Sequence, residues 1–412
     1  MQIKRTLSDC ILDTSQHFPV LLLTGARQVG KTTLLQSLQD KKRHYVSLDD
    51  PIDRAMARND PAGFLQRYPT PLLIDEIQYA PELLPYIKMA VDKTRLPGQF
   101  WLTGSQQFHL MKNVSESLAG RVAILDLYGI SLAEEAGLQS VQPFLPDHKL
   151  LALDAPLTKP LLLPELYEKI WRGSFPFVVT HGTGVWERFY SSYVATYLQR
   201  DVRDFAHITQ EDVFLKFLQV IAVRTGQLVN YAEIARDTGV SGITVKSWLT
   251  VLRVSGLIEL LQPYHNNLTK RLVKTPKIYF MDTGLCSFLA GWDNAKVLER
   301  GAMSGAILET FVVSEIIKTY RHNGIEPKCY FYRDRDQREI DLLIERDGKL
   351  YPLEIKKTAS PNLSDVRHFN ALESLRQTLG DGGIICCVEA LKPLTRTLSA
   401  IPIHYISLLE MN

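Results

Sequence analysis

Nine residues constrain this chain more than any others: GARQVGKTT, Gly25 to Thr33, between the apolar run Pro19–Thr24 and the helix-like TLLQSLQD. A buried strand delivers the chain to Gly25. The glycines let backbone N–H groups turn inward around an anion, and the next helix starts with its positive dipole end at the same point. Gly25 and Gly30 shape the turn, Lys31 reaches the β- and γ-phosphates, and Thr32 offers a hydroxyl to Mg²⁺, with Thr33 beside it in the nucleotide-binding set. A glycine loop that merely turned a corner would not call for Lys-Thr at that offset, so the expected ligands are ATP and Mg.

Further strands should meet the same point. HYVSLDD (His44–Asp50) reads as a second strand and PLLIDEIQ (Pro71–Gln78) as a third, ending in Asp75 and Glu76. An apolar strand running into Asp-Glu after such a loop suits Mg²⁺ coordination by Asp75 and activation of the attacking water by Glu76. QFWLTGS (Gln99–Ser105) reads as a strand delivering small hydroxyls to the phosphate edge, with Ser105 as the water-sensing candidate. SESLAGRVAILDLYG supplies a last strand, and Arg121 just before it is a candidate to neutralise γ-phosphate charge, in its own subunit or in a neighbour within a homo-oligomer. Strands alternate with helical stretches such as APELLPYIKMAVDK, the pattern of a P-loop NTPase parallel three-layer sheet.

Composition narrows the rest. The chain has 412 residues, enough for two to four domains, and 47 Lys+Arg against 45 Asp+Glu. With so little net charge, any DNA contact must come from a local patch. The five cysteines, Cys10, Cys286, Cys329, Cys386 and Cys387, form no C-x-x-C pair and suit a reducing, cytoplasmic setting. No stretch approaches a membrane span, so no membrane partner is expected.

The series GARQVGKTTLL, LLIDEIQ, FWLTGSQ, SLAGRV and SLAEE resembles a prokaryotic branch of the AAA+ ATPases. In that branch a P-loop domain is followed by a winged-helix segment and a C-terminal domain of uncharacterised function. The resemblance covers essentially the whole chain and implies an ATP site at Gly25, Gly30, Lys31, Thr32, Asp75, Glu76 and Ser105. One departure is Ile130, where the family favours proline before the SLAEE-like segment.

The middle of the chain divides at a Pro- and Leu-rich linker from about 142 to 164. Helical patterns follow in PELYEKIWRG and WERFYSSYVATYLQRDVRDF, where Phe189, Tyr193, Tyr197 and Leu198 read as core rather than as a platform for stacked bases. Asn230–Tyr264 then reads helix, turn at Thr238-Gly239, helix, Gly256, strand, the order of a helix-turn-helix with a wing. Ser241, Thr244 and Lys246 would face a DNA groove, with Arg253, Lys270 and Arg271 nearer phosphates; an adaptor role for the same unit stays open.

In the last part, REIDLLIERDGKLYPLEIKK places two alternating runs around Asp347-Gly348, a strong hairpin signal. Counting outward from Arg346–Lys349 sets Asp341 opposite Glu354. Period two puts Ile340, Leu342, Ile344, Tyr351, Leu353 and Ile355 on one buried face, with Asp341, Glu354 and Lys356 on the other. Two opposed carboxylates repel unless a cation or proton lies between them, which suggests a metal site. Glu309, in GAILETFVVSEIIK, is a candidate third ligand, and Lys356 a candidate to stabilise the transition state. The pattern E…D…E-x-K resembles the PD-(D/E)xK nucleases, whose fold the family's last domain is thought to share. The bland reading is the solvated face of a hairpin.

The expected architecture is therefore α/β: an ATPase domain over 1–140, a linker and helical segment over 141–208, a winged-helix-like domain over 209–283 and an α/β nuclease-like domain over 284–412. The expected function is Mg-dependent ATP hydrolysis coupled to DNA binding and metal-dependent DNA cleavage. The alternative is an ATP-switched DNA- or protein-binding regulator with an inert last domain.

Overall fold

The structure is a computed structural model and describes residues 3–104, 114, 117–138, 141–147, 160–198, 211–265 and 275–407. Its first sheet contains β1 (Val20–Thr24), β2 (His44–Ser47), β3 (Leu72–Asp75), β4 (Phe100–Thr103) and β5 (Val122–Asp126). They lie in the order β2-β3-β4-β1-β5, and every pairing is parallel. β1 is buried at all five positions, as a strand covered on both faces must be. Its alternation is visible in the packing: Leu21 and Leu23 join a core with Leu7, Ile11 and Leu34, whereas Val20 and Leu22 join another with Phe64, Leu84 and Ile87. Because all five strands run the same way, Thr24, Asp75 and Thr103 end β1, β3 and β4 at one edge, where such sheets bind ligands.

The middle segment is helical: Leu163–Arg172, Pro176–His181 and Trp186–Tyr193, then Glu211–Ala222, Tyr231–Thr238 and Gly242–Val254. The turn between the last two is set locally. Asn230 caps the first helix by accepting from Glu233 N, Gly239 ends it at φ 77°, and Ser241 caps the second by accepting from Thr244 N. Two antiparallel strands follow, β6 (Ile258–Pro263) and β7 (Lys277–Phe280), and Leu228 bridges to Lys277. Of the aromatic row read from the sequence, Tyr193 is buried and Phe189 half-buried; the side chains of Tyr197 and Leu198 lie outside the described set.

The 18-residue helix Ser304–Arg321 leads into β8 (Cys329–Arg333), β9 (Glu339–Arg346), β10 (Lys349–Lys356), β11 (Thr378–Leu379), β12 (Gly382–Cys386), β13 (Lys392–Pro393) and β14 (Leu398–Pro402). These do not form a separate sheet. The order is β13-β14-β12-β10-β9-β8-β6-β7, with β11 also on β10, so the strands after the helix-turn-helix extend the last sheet. One buried cluster runs from Leu7 through Ile278 and Phe311 to Ile406, so the three parts share a core. No described helix is long and apolar enough to cross a membrane.

The β9–β10 hairpin has the expected register, from Arg346↔Lys349 to Leu342↔Leu353, with Asp347 and Gly348 both at positive φ. Its faces need two corrections. Between the pairs Tyr330↔Leu343 and Tyr332↔Ile340, the two residues Asp341 and Leu342 oppose the single Phe331. This bulge reverses alternation locally, so Ile340 packs with Leu343 and Leu350 rather than with Leu342 and Ile344. The polar face is also not solvated, since Asp341 is 7% and Glu354 3% exposed.

Candidate functional site

The phosphate loop is built as its sequence requires. Gly25 has φ 137°, and a Cβ there would lie 2.1 Å from Leu127 O; Gly30, at φ 94°, is the N-cap of the helix Lys31–Leu38. Only glycine satisfies both demands at Gly25. Lys31 is buried and donates to Gly25 O (3.0 Å) and Ala26 O (2.9 Å), and burial lowers its ammonium to about 8.

Thr32 Oγ1 donates to Asp75 Oδ1 at 2.7 Å, joining the loop helix to the end of β3. The same carboxylate accepts from the Thr103 hydroxyl at the end of β4 and, at 3.4 Å through Oδ2, from Tyr45 OH. Thr103 Oγ1 also accepts from Glu76 N at 3.0 Å, fixing the backbone where Glu76 turns to φ 57°. Glu76 in turn takes a hydrogen bond from the Gln78 amide. Asp49, after β2, is close enough that burial and then the charges of Glu76 and Asp75 raise its carboxyl. A hydroxyl and carboxylate oxygens are the hard donors that Mg²⁺ takes, so this set fits that ion.

Thr103 is the residue that the sequence reading missed. Ser105, named as the water-sensing candidate, lies outside the described residues. Arg121 is not brought to its own phosphate loop. It precedes the first residue of β5, which pairs with Val20 at the far end of β1, and it holds Asp92 at 2.5 Å.

Beside the loop opens a cavity of about 1180 Å³, mostly apolar. Gln28, Gly30, Thr33 and Leu34 form one wall and Phe177, Arg188 and Phe189 another. Phe177 and Phe189 stack with centroids 5.5 Å apart. Such size and lining suit a small organic ligand. Their positions, some 150 residues beyond the loop, gave no local signal.

The second candidate site lies in the last sheet, where Glu309, Asp341, Glu354 and Lys356 do come together. Lys356 Nζ contacts Glu354 Oε2 at 2.8 Å and Asp341 Oδ2 at 3.4 Å, and Asp341 Oδ2 accepts from Ile355 N at 2.9 Å. Glu309 Oε1 accepts from Lys277 Nζ (3.0 Å) and Tyr279 OH (2.6 Å), both on β7. Lys277 also reaches Glu339 at 2.7 Å. Burial, and after it the charge of Asp341, raises the carboxyls of Glu309 and Glu354. The expected metal-ligand trio is not seen as such: among the described residues no three His, Cys, Asp or Glu side chains are arranged to hold a metal ion. The carboxylates meet instead around two lysines, and Lys277 and Tyr279 were not foreseen.

On the helix Gly242–Val254, Ser241 is the cap and contacts Thr244 Oγ1 at 2.8 Å, while Lys246 and Arg253 are exposed. Lys270 and Arg271 lie outside the described residues.

Residues 17–135 match the family described as AAA domain, residues 163–296 a domain of unknown function (DUF8612) and residues 304–406 another (DUF4143). The chain is 30% identical over 391 residues to the uncharacterized proteins Rv2008c of Mycobacterium tuberculosis and Mb2031c of Mycobacterium bovis, covering 93% of this chain and 80% of each relative. Among solved structures, the Walker-type ATPase PABY2304 of Pyrococcus abyssi is similar at TM-score 0.40 and 15% identity, covering 69% of this chain and 94% of that one. The RuvB Holliday junction branch migration motor of Thermotoga maritima is similar at TM-score 0.29 and 20% identity, covering 62% and 86%.

Proposed function

The chain, an AAA-type P-loop ATPase, belongs to the family of the mycobacterial proteins Rv2008c and Mb2031c, and from that premise we propose that it is a Mg²⁺-dependent ATP hydrolase whose nucleotide state controls its two later segments. The observation that carries this is the linked set Thr32, Asp75, Thr103 and Glu76 at one edge of the sheet. Lys31 exchanges its loop carbonyls for the β- and γ-phosphates, while Thr32 and Asp75 hold Mg²⁺. Glu76 orients and deprotonates the attacking water. The base and ribose lie in the cavity against Phe177 and Phe189, and Arg188 enters from the same wall. Arg121, half-buried against Asp92 and turned from its own loop, would act on the γ-phosphate only of a neighbouring copy.

The segment Tyr231–Phe280 is read as a winged helix that binds DNA or a protein, with Lys246 and Arg253 on its open side. A second reading, metal-dependent DNA cleavage by Glu309, Asp341, Glu354 and Lys356, is favoured by one observation: Asp341 and Glu354, both buried, share Lys356, a pair of carboxylates of the kind a divalent ion takes. Phosphate release by the wild type and Lys31→Ala tests the first claim, and undiminished turnover in the variant removes it. Nicking of supercoiled DNA with Mg²⁺ or Mn²⁺, compared with Asp341→Ala, tests the second. DNA binding without nicking leaves the nucleotide-driven regulator.

A further inference from the structure

We propose that Arg5 is a positioning residue for the phosphate loop and the first member of a buried charged relay that ties nucleotide occupancy to the helix Ser304–Arg321. The inference rests on the ATPase reading and supplies its route to the last domain. Arg5 is 6% exposed. Its Nη1 donates to Val29 O at 2.8 Å, and Nη2 donates to Tyr128 O at 2.6 Å. Val29 O and Gly30 N–H belong to one planar trans peptide and point opposite ways. By fixing that carbonyl, Arg5 sets the direction of the Gly30 N–H, one of the groups a phosphate loop offers its anion.

The other end of Arg5 meets the strap Tyr128–Glu134. Its Nε lies 3.2 Å from Glu134 Oε1, which also accepts from Thr6 N at 2.8 Å, and Glu134 Oε2 accepts from Ser131 N at 3.0 Å. The strap's opposite side is held by the long helix and its cap. Leu132 N donates to Glu315 Oε2 at 2.8 Å, Glu315 pairs with Lys318 at 2.7 Å, and Tyr128 N donates to His322 Nε2 at 3.4 Å. Glu134, Glu315, Lys318 and His322 are all 2% exposed or less.

In such a dry network, parting one charge from its partner leaves it uncompensated, so the members move together rather than singly. The helix is the rigid part of the relay. Glu309 lies six residues before Glu315, about 9 Å along the axis at about 1.5 Å per residue. A shift of Val29 on phosphate binding is thereby passed to the element that carries Glu309 into the cluster with Lys277 and Asp341. Linkage makes the coupling reciprocal, so the cluster must also bias nucleotide affinity.

The test uses the full chain as wild type, Arg5→Lys and Glu315→Gln, with a fluorescent ATP analogue and Mg²⁺ for binding, steady-state ATPase kinetics, and hydrogen exchange of residues 339–356 with and without ATP. Wild type should exchange more slowly in that hairpin when ATP is bound. Arg5→Lys keeps the charge but loses the fork, and should raise KM about tenfold with kcat changed less than about twofold, while the hairpin response disappears. Glu315→Gln should shift KM by no more than the coupling it removes, well short of the Arg5→Lys change, and still abolish the response, a result that general loosening of the loop does not produce. Wild type that binds nucleotide without any hairpin response, or retention of the response in Glu315→Gln, overturns the relay; if Arg5→Lys does not fold, Glu315→Gln decides alone. Failure of wild type to bind nucleotide overturns the ATPase reading, and the relay with it.

Discussion

Replacing Thr103 by valine isolates what its hydroxyl does at the phosphate edge. The side chain is fully buried, so valine fills the same space, and two hydrogen bonds are lost: the one given to Asp75 and the 3.0 Å one taken from Glu76 N. The first is to a carboxylate and the second leaves an amide without its acceptor, losses of about 1.5–3 kcal/mol and about 1–3 kcal/mol in general. Part of that falls on stability. The part that reaches catalysis acts through Glu76, whose backbone N–H at the φ 57° turn is held by Thr103. If about 1.4–2.8 kcal/mol of transition-state stabilisation is lost, kcat falls roughly ten- to a hundredfold. Nucleotide affinity should change little, because Lys31 and the loop N–H groups remain. The assay pairs phosphate release with titration of a fluorescent ATP analogue. A kcat within about twofold of wild type in a folded Thr103→Val protein would refute the assignment of Thr103 as the anchor of the water-activating turn.

Lys31 gives a pH prediction with a definite sign. Its free-state ammonium is lowered to about 8 by burial, and the protonated form is the one that meets phosphate, so affinity should weaken as pH rises through 8 and fall about tenfold per unit above it. Binding should take up a proton near pH 8.5, measurable by calorimetry in buffers of different ionisation enthalpy; a Kd flat from pH 7 to 9.5 would sink the idea. Lys277→Met removes the buried ammonium between Glu309 and Glu339 and should cost about 3–5 kcal/mol near pH 8. The Glu309 carboxyl is raised above its unfolded value, so the native state binds more protons and the loss should be smaller at pH 5; urea unfolding at both pH values checks the order.

What the sequence could reveal depended on how local the cause was. The phosphate loop was legible because glycine geometry and the Lys-Thr offset are fixed within nine residues. The hairpin was legible because Asp347-Gly348 sets its own turn. The bulge at Asp341 was not, since it arises from pairing with Phe331 across the sheet, and it changed which way Ile340 faces. Thr103 was not singled out from the Thr-Gly-Ser strand end because an isolated strand end does not say which hydroxyl meets the neighbouring carboxylate. Register does: Ile74 lies against Leu102, which sets Asp75 beside Thr103. By the same logic, parallel pairing of β5 with β1 puts Arg121, the residue before β5, at the end of the sheet away from its own loop, so of its two expected settings the neighbouring subunit is the one left open. Arg5 carried no signal at all, because its partner Glu134 is 129 residues away.

The shared sheet changes how the later segments should be thought of. β7 ends the helix-turn-helix and is paired through β6 to β8, and it is also the strand that delivers Lys277 and Tyr279 to Glu309. A movement of the helix Gly242–Val254 that displaced β6 and β7 would withdraw the ammonium that compensates Glu309 and Glu339. That leaves two partly buried carboxylates beside Asp341, and restoring the balance draws protons or a cation from solution. Displacement of the helix Gly242–Val254 and the charge state of the carboxylate cluster are therefore not independent variables. Nor does the ATPase domain stand apart, since a Cβ built on Gly256, between the last of those helices and β6, would lie 3.6 Å from Ala26 N in the phosphate loop. The phosphate loop, the helix pair and the strands that carry the cluster share one continuous core, and a hinge between separate domains is not needed to link them.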